Sequence, residues 1–359
     1  MPKKRITDSV GDKKSETSVT SNGVEIKKLN NSEIEIKSFI PIEELNKYRE
    51  KALKKLGEEI SIAGFRKGHI PENILKEKLG EMTILNQMAE MALSDIYPVI
   101  VLENKIDVIG QPQITITKMA PNIPVEFTIK SAVFPQFELP DYKKIAKELN
   151  SKKEEAVEVT EKEVEATIKQ IQKMNSNTED PQGSPSEEET ELTDDFVKKL
   201  GDFKDVNDFK TKLKANIKQE KLNKAQEAKR VRIMDSILKE TQIELPEIII
   251  KEETERLFAQ TKADLTRMGL KFDKYLEHLK KTEDELRKEL RPDAEKRVQI
   301  QFVLDKITKA EKITANKEEL KKNVTQILKQ HPEAREDSVR PYMAMVLSNQ
   351  EVFKLLEKA

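Results

Sequence analysis

The sequence predicts a mainly helical chain: an α+β N-terminal domain, with helices on an antiparallel sheet, followed by an extended all-α C-terminal region. Strict apolar–polar alternation is confined to residues 24–40 and 114–133. Elsewhere apolar residues recur at helical spacing, punctuated by capping residues. Charged residues make up 36% of the 359-residue chain against 10 glycines and no tryptophan, a balance that favours long solvated helices over layered sheets.

Residues 1–22 are rich in Ser, Thr, Lys and Asp, follow no period and read as a disordered tail. Lys3-Lys4-Arg5 fits a solvated tail better than an RNA-touching arm, and no apolar run follows it as a secretory signal would require. Val24 and Ile26, then Ile34, Ile36 and Ile40, form a hairpin pattern with Asn30-Asn31 between the runs. Pro41 opens a helix whose inward face carries Ile42, Leu45, Tyr48, Ala52, Leu56 and Ile60. A glycine-containing loop, 63–69, follows. Pro71 starts a short helix that stops at Gly80. A third helix is expected over 81–104, with Leu85, Met88, Ala92, Ile96 and Ile100 inward and a kink at Pro98. Two strands follow, with Ile114 and Ile116 on one and Val125, Phe127, Ile129 and Val133 on the other. Residues 23–142 therefore form one α+β domain.

Residues 143–174 read as a linker with a helix, which Thr160 and Glu163 open as a capping box. Residues 175–191 are acidic, hold Pro and Gly but no large apolar side chain, and read as a flexible linker reaching roughly 20–25 Å as a coil. Residues 192–359 read as helical throughout. A long helix covers 206–241, and Pro246 opens the next, ending near Gly269. Thr282 with Glu285 and Asn316 with Glu319 cap two more, the first bent at Pro292. The last spans 339–356.

The net charge of −1 excludes a global pull onto nucleic acid. The chain has no cysteine, so thiol catalysis, disulfides and Cys-based zinc sites are excluded. No phosphate-binding loop or dinucleotide-binding turn occurs, and His69, His278 and His331 stand far apart in sequence. No stretch approaches the length of a membrane span. These readings lead to the expectation of a cytoplasmic binding protein that is not an enzyme and needs no cofactor, metal or membrane.

The most informative stretch is Gly64-Phe65-Arg66-Lys67-Gly68-His69-Ile70-Pro71, between two helices. An aromatic at an exposed tip costs solvation unless a partner buries it. Arg66 can fork onto phosphate or carboxylate, and Lys67 adds a point charge. The competing reading is a plain helix connection with Phe65 tucked inward. Apolar groups that could hold unfolded segments are Ile248 and Ile249, Leu257 with Phe258, Met268 with Phe272 and Tyr275, and Tyr342, Met343, Met345 and Val346. For any one of these, packing into the core is the competing role.

Gly-Phe-Arg-Lys-Gly-x-x-Pro resembles the ribosome-binding signature of bacterial trigger factor. The likeness continues through Ser94–Tyr97 to Gly110-Gln-Pro112, Val157–Thr160, Leu192–Gly201, Leu290–Val298, Ala310–Ile313 and Leu355–Ala359, in the family's order. The resemblance implies an ATP-independent chaperone docked at the ribosomal tunnel exit, on a ribosomal protein with rRNA nearby, shielding nascent chains. It makes Phe65, Arg66 and Lys67 the contact residues, with Gly64, Gly68 and Pro71 shaping the loop. A homodimer off the ribosome is a further expected assembly. The family's prolyl-isomerase domain is expected to be missing, because 175–191 stands where it would lie and a domain needs about 50 residues or more. Isomerase activity is accordingly not expected. The alternatives are a free cytosolic holdase and a prolyl isomerase by family label.

Overall fold

The computed structural model describes residues 17–19, 23–63, 65–151, 158–176 and 192–359. Within these the chain divides into two units, 1–138 with 242–303 and 139–241 with 304–359. No described helix is long and apolar enough to cross a membrane.

In the first unit the alternating runs become strands because each places a full apolar row on one face. Strands β1 (Thr17–Val19), β2 (Glu25–Lys28), β3 (Glu33–Ile40), β4 (Val108–Lys118) and β5 (Val125–Val133) form an antiparallel sheet in the order β1-β2-β3-β5-β4. Ile36 pairs with Ile26 and Ile129, and Ile40 with Val125, so buried side chains align across the sheet. The β2–β3 turn works because Asn31 and Ser32 take positive φ and Leu29 N–H donates to Glu33 C=O at 2.8 Å.

Against this face pack α1 (Ile42–Asn46), α2 (Arg49–Glu59) and α4 (Glu81–Glu103), while α3 (Glu72–Leu79) leans on α2 and α4. Leu45, Ala52, Leu56, Ile84, Met88 and Ala92 meet Ile36, Phe127 and Ile129 in one core. Tyr97 and buried Ser131 share a hydroxyl hydrogen bond at 3.0 Å, which satisfies the polar atom the core would otherwise orphan.

Helix α9 (Glu247–Arg267) belongs to the same unit. Its Ile248 N–H donates to the Glu33 carboxylate at 3.1 Å, Ser32 Oγ donates to Glu244 C=O at 3.2 Å, and Gln111 N–H donates to Glu252 at 3.0 Å. Helix α10 (Phe272–Leu279) and the first part of α11 (Glu283–Ala310) close a second core of Phe258, Leu265, Phe272 and Leu286. Phe258 and Phe272 meet edge to face at 5.4 Å, and the Arg287 guanidinium lies 4.0 Å over Phe258.

The second unit holds α5 (Tyr142–Asn150), α6 (Glu161–Ser176), α7 (Asp194–Leu200), α8 (Val206–Lys239), the end of α11, α12 (Lys317–Gln330) and α13 (Glu336–Lys358). Val164, Ile168, Val197 and Phe209 form one core cluster between α6, α7 and α8, and Ile233, Ile237, Ile307, Val352 and Leu356 are buried elsewhere in the unit. Thr160 and Glu163 cap α6 reciprocally, at 2.9 and 3.4 Å, as the capping pattern predicts.

Some expectations differ from these elements. Thr17–Val19, inside the segment expected as a tail, pairs with β2, while most of 1–22 lies outside the described residues. The single helix expected from Pro41 is two, because Lys47 and Tyr48 N–H donate to Glu44 and Leu45 C=O, three residues back instead of four, and interrupt the α-helical ladder. Helices α5 and α10 are additions within segments that sequence spacing left unassigned. The region 192–359 is shared between the units, since the Glu33, Ser32 and Gln111 bonds hold α9 with the sheet. The linker expected over 175–191 lies, past the end of α6 at Ser176, outside the described residues.

Candidate functional site

The loop between α2 and α3 is built on a rigid base. Gly68 N–H donates to Gly57 C=O at 2.8 Å, tying the loop back onto α2. Gly68 takes φ +78°, and a Cβ there would sit 3.2 Å from Glu58 Cγ, so a side chain would be strained at this position. Phe65 N–H donates to Ile62 C=O at 3.1 Å, and His69 N–H donates to Arg66 C=O at 3.0 Å, closing a turn over 66–69. Ile70 is buried and anchors the return, and Pro71 presets the extended backbone that starts α3.

Below the loop, Arg49 on α2 donates to Glu72 through Nε at 2.8 Å and Nη2 at 2.6 Å, and reaches Glu81 on α4 at 2.9 Å. Lys76 also pairs with Glu81 at 2.9 Å. The Lys76 hydrogen bond, reinforced by Arg49 and opposed by burial, holds the Glu81 carboxyl below its ordinary range. These ions fasten the three helices that carry the loop.

What the loop presents follows from that base. Phe65 is 40% exposed, against the reading in which it tucks inward. Arg66 and Lys67 are exposed, and among the described residues neither joins an ion pair. Gly64 lies outside the described residues. An aromatic flanked by two unspent cations on a braced turn can bind an acidic or phosphate-bearing surface that also offers an apolar recess.

The apolar candidates separate into two groups. Ile248, Leu257, Phe258 and Phe272 are buried in the first unit, with Ile249 and Tyr275 half-buried beside them. Phe258 and Phe272 fill the second core, with Tyr275 packed against it, and the four buried side chains offer no surface to a client in this conformation. Met268 is 73% exposed and Tyr342 is 55% exposed, whereas Met343, Met345 and Val346 are half-buried. Met268 sits at the α9–α10 turn of the first unit, and the others lie on α13 of the second. Sequence spacing missed Leu270, 50% exposed two residues from Met268, although the intervening Gly269 at φ +73° marked the turn that exposes both.

Residues 210–232 of α8 are rich in Lys and Arg, and four of these cations pair with carboxylates of their own unit. Lys212 pairs with Asp208, Lys224 with Glu220, Lys221 with Glu163 and Arg230 with Glu357. No group of His, Asp or Glu among the described residues is placed to hold a metal ion.

Comparison with known proteins adds the following. The family described as "Bacterial trigger factor protein (TF)" matches residues 23–171, and "Bacterial trigger factor protein (TF) C-terminus" matches 205–353. The trigger factor of Streptomyces coelicolor is 25% identical over 82% of this chain and 79% of its own length. That of Clostridium kluyveri is 22% identical over 93% of this chain and 98% of its own. A solved structure, "Promiscuous Substrate Recognition in Folding and Assembly Activities of the Trigger Factor Chaperone", overlays with a TM-score of 0.48 at 18% identity, covering 93% of this chain and 99% of that one. Only residues 172–204 separate the two matched segments, so the chain lacks a middle prolyl-isomerase domain.

One expectation is corrected by these matches. The reading that the chain is not an enzyme rested on absent motifs and a short interval. The likeness to trigger factors extends over 98% of the Clostridium kluyveri protein and carries no exclusion of catalysis with it, so that reading is withdrawn.

Proposed function

Because this chain belongs to the trigger factor family, which supports a chaperone role, we propose that it docks at the ribosomal tunnel exit through Phe65, Arg66 and Lys67 and shields apolar segments of emerging polypeptides in the cytoplasm. The observation that carries the docking is the exposure of Phe65 together with two unpaired cations on a loop pinned at Gly68. Phe65 supplies the apolar contact. Arg66 and Lys67 supply charge toward a ribosomal protein set in RNA. The Gly68–Gly57 bond and the Arg49 ion pairs supply preorganisation, so little ordering entropy opposes docking.

Client holding rests on exposed apolar side chains of the helical region, foremost Met268, Leu270 and Tyr342. Each that a client buries contributes on the order of 1–2 kcal/mol. Several such contacts give binding that reverses on a folding timescale without nucleotide hydrolysis.

Co-sedimentation with 70S ribosomes tests the docking. The wild-type chain pellets and the Phe65→Ala/Arg66→Ala/Lys67→Ala variant stays in the supernatant. If both stay soluble, the loop is a turn between two helices and the protein is a free holdase.

A further inference from the structure

Among the described residues strand β4 is an edge of the sheet, bonded to β5 on one side and to no strand on the other. Its two halves differ. Around Gly110–Pro112 the outer side is closed: Gln111 N–H is taken by Glu252, a Cβ on Gly110 would fall 2.4 Å from Ile249 Cδ1, and Pro112 has no N–H to offer. From Gln113 to Lys118 all residues but Ile116 are exposed. This half reads Gln-Ile-Thr-Ile-Thr-Lys, alternating, β-branched and without a charge before Lys118. Natural edges are commonly blunted by inward charges, bulges or covering elements. Here one irregularity in the β4–β5 register ends at Gln113 and the next falls between Ile116 and Lys118, so pairing with β5 is regular over 113–116 and the edge there carries neither a bulge nor a charge.

The side chains say what such a partner would carry. Ile114 pairs with Ile129, and Ile116 with Phe127, on the face that forms the core. Ile129 is fully buried, yet Ile114 is 42% exposed, because no described strand lies beyond β4. A further strand with an apolar residue at alternate positions would cover Ile114 and satisfy the outward backbone groups together. On the opposite face Thr115 and Thr117 tolerate polar neighbours.

We propose that residues 113–118 of β4 are a strand-addition site for an extended, apolar–polar alternating segment of about five residues in an unfolded client. This rests on the chaperone reading and deepens it by adding a backbone-reading site to side-chain contacts. A second copy of the chain fits less well. A symmetric β4–β4 pair is limited by Pro112 to the same few residues, and so short a ribbon covers far less than the roughly 1,200 Å² of a stable interface.

The test uses the full chain and a fluorescent peptide of alternating valine and threonine with lysines at its ends. Anisotropy is followed for the peptide and for a copy N-methylated at alternate residues on its hydrogen-bonding edge. Binding is expected to weaken at least tenfold on N-methylation, and about tenfold on Ile114→Lys, an exposed position where the substitution leaves the core intact. Hydrogen exchange at 113–118 is expected to slow when the peptide binds. Equal binding of the two peptides, or no change with Ile114→Lys, overturns the site. A concentration-dependent dimer abolished by Ile114→Lys would assign the edge to a second copy and also overturn it. A parallel assay of aggregation suppression separates the two levels. If the chain suppresses aggregation but the edge is silent, only this inference fails. If it suppresses nothing, the chaperone reading fails as well.

Discussion

Replacing Gly68 should damage the docking loop without touching the residues proposed to make contact. Gly68 holds φ +78° while donating to Gly57 C=O at 2.8 Å. An L-residue in the left-handed region costs about 1–2 kcal/mol, and asparagine costs less than alanine. The added Cβ meets Glu58 Cγ at 3.2 Å, but Glu58 is a flexible side chain that can move aside, so the backbone angle dominates. Gly68→Asn, Gly68→Ala and Gly68→Val should therefore weaken the loop in that order, with valine above 2 kcal/mol because its branched Cβ narrows the allowed region further. For alanine, 1–2 kcal/mol corresponds to a roughly five- to thirtyfold loss of protection at the residue 68 amide in native-state hydrogen exchange. Ribosome affinity should fall by a comparable factor, because binding must restore the wild-type backbone. If all three variants exchange and co-sediment like the wild type, the loop is not held by its glycine and the preorganisation argument is wrong.

Further predictions address each unit. Phe127→Ala removes a side chain only 1% exposed at the centre of the first core and should destabilise that unit by about 3–5 kcal/mol in urea unfolding followed by circular dichroism. Thr160→Ala deletes one half of the α6 capping box and should cost about 1 kcal/mol, read as a lowered melting midpoint of the second unit. Arg230→Ala strips the half-buried Glu357 of its 2.5 Å partner on α8 and should cost about 1–3 kcal/mol, seen as faster proteolysis at the C-terminal end of α13; Glu357→Gln should recover part of the loss. Stability of the second unit should also fall at both ends of the pH scale. Burial and the hydrogen bond to Glu311 push the Tyr142 hydroxyl up to about 12, so the folded state keeps that proton longer than the unfolded chain and stability declines as pH rises from about 10 to 12. Glu311 is held low by Lys143 and then Tyr142, so its contribution is complete above the ordinary carboxylate range and is lost as pH falls through its depressed value. Tyr142→Phe should reduce the alkaline decline and leave a smaller acid one, carried by the Lys143 pairing of Glu311.

Much of this protein was legible from local pattern. The hairpin across Asn30–Ser32, the β5 alternation from Val125 to Val133, the capping boxes at Thr160 and Thr282 and the prolines opening α3 and α9 are short-range devices. The turn and the caps satisfy backbone groups within a few residues, and the β5 alternation is a local period even though its partner β3 is distant, so the sequence neighbourhood is enough to identify each. The Phe65-Arg66-Lys67 loop was legible for the same reason, since two flanking glycines and a following proline leave a turn as the ready conformation.

Exposure was not legible, because it depends on residues distant in the chain. Met268 and Phe272 read alike as apolar side chains near a glycine, yet Phe272 meets Phe258 at 5.4 Å and is buried while Met268 is 73% exposed. Ile114 looked like any inward strand residue and is left bare because β4 ends the sheet. The sharing of the helical region between two units was also beyond local pattern: Glu33 lies 215 positions from the Ile248 amide it caps. Sequence by itself determined the elements, their caps and the chemistry displayed on the loop, all set by spacing and backbone preference. Tertiary structure alone decided which apolar faces are consumed as core and which strand edge is left unpaired, because burial arises between segments that no local rule relates.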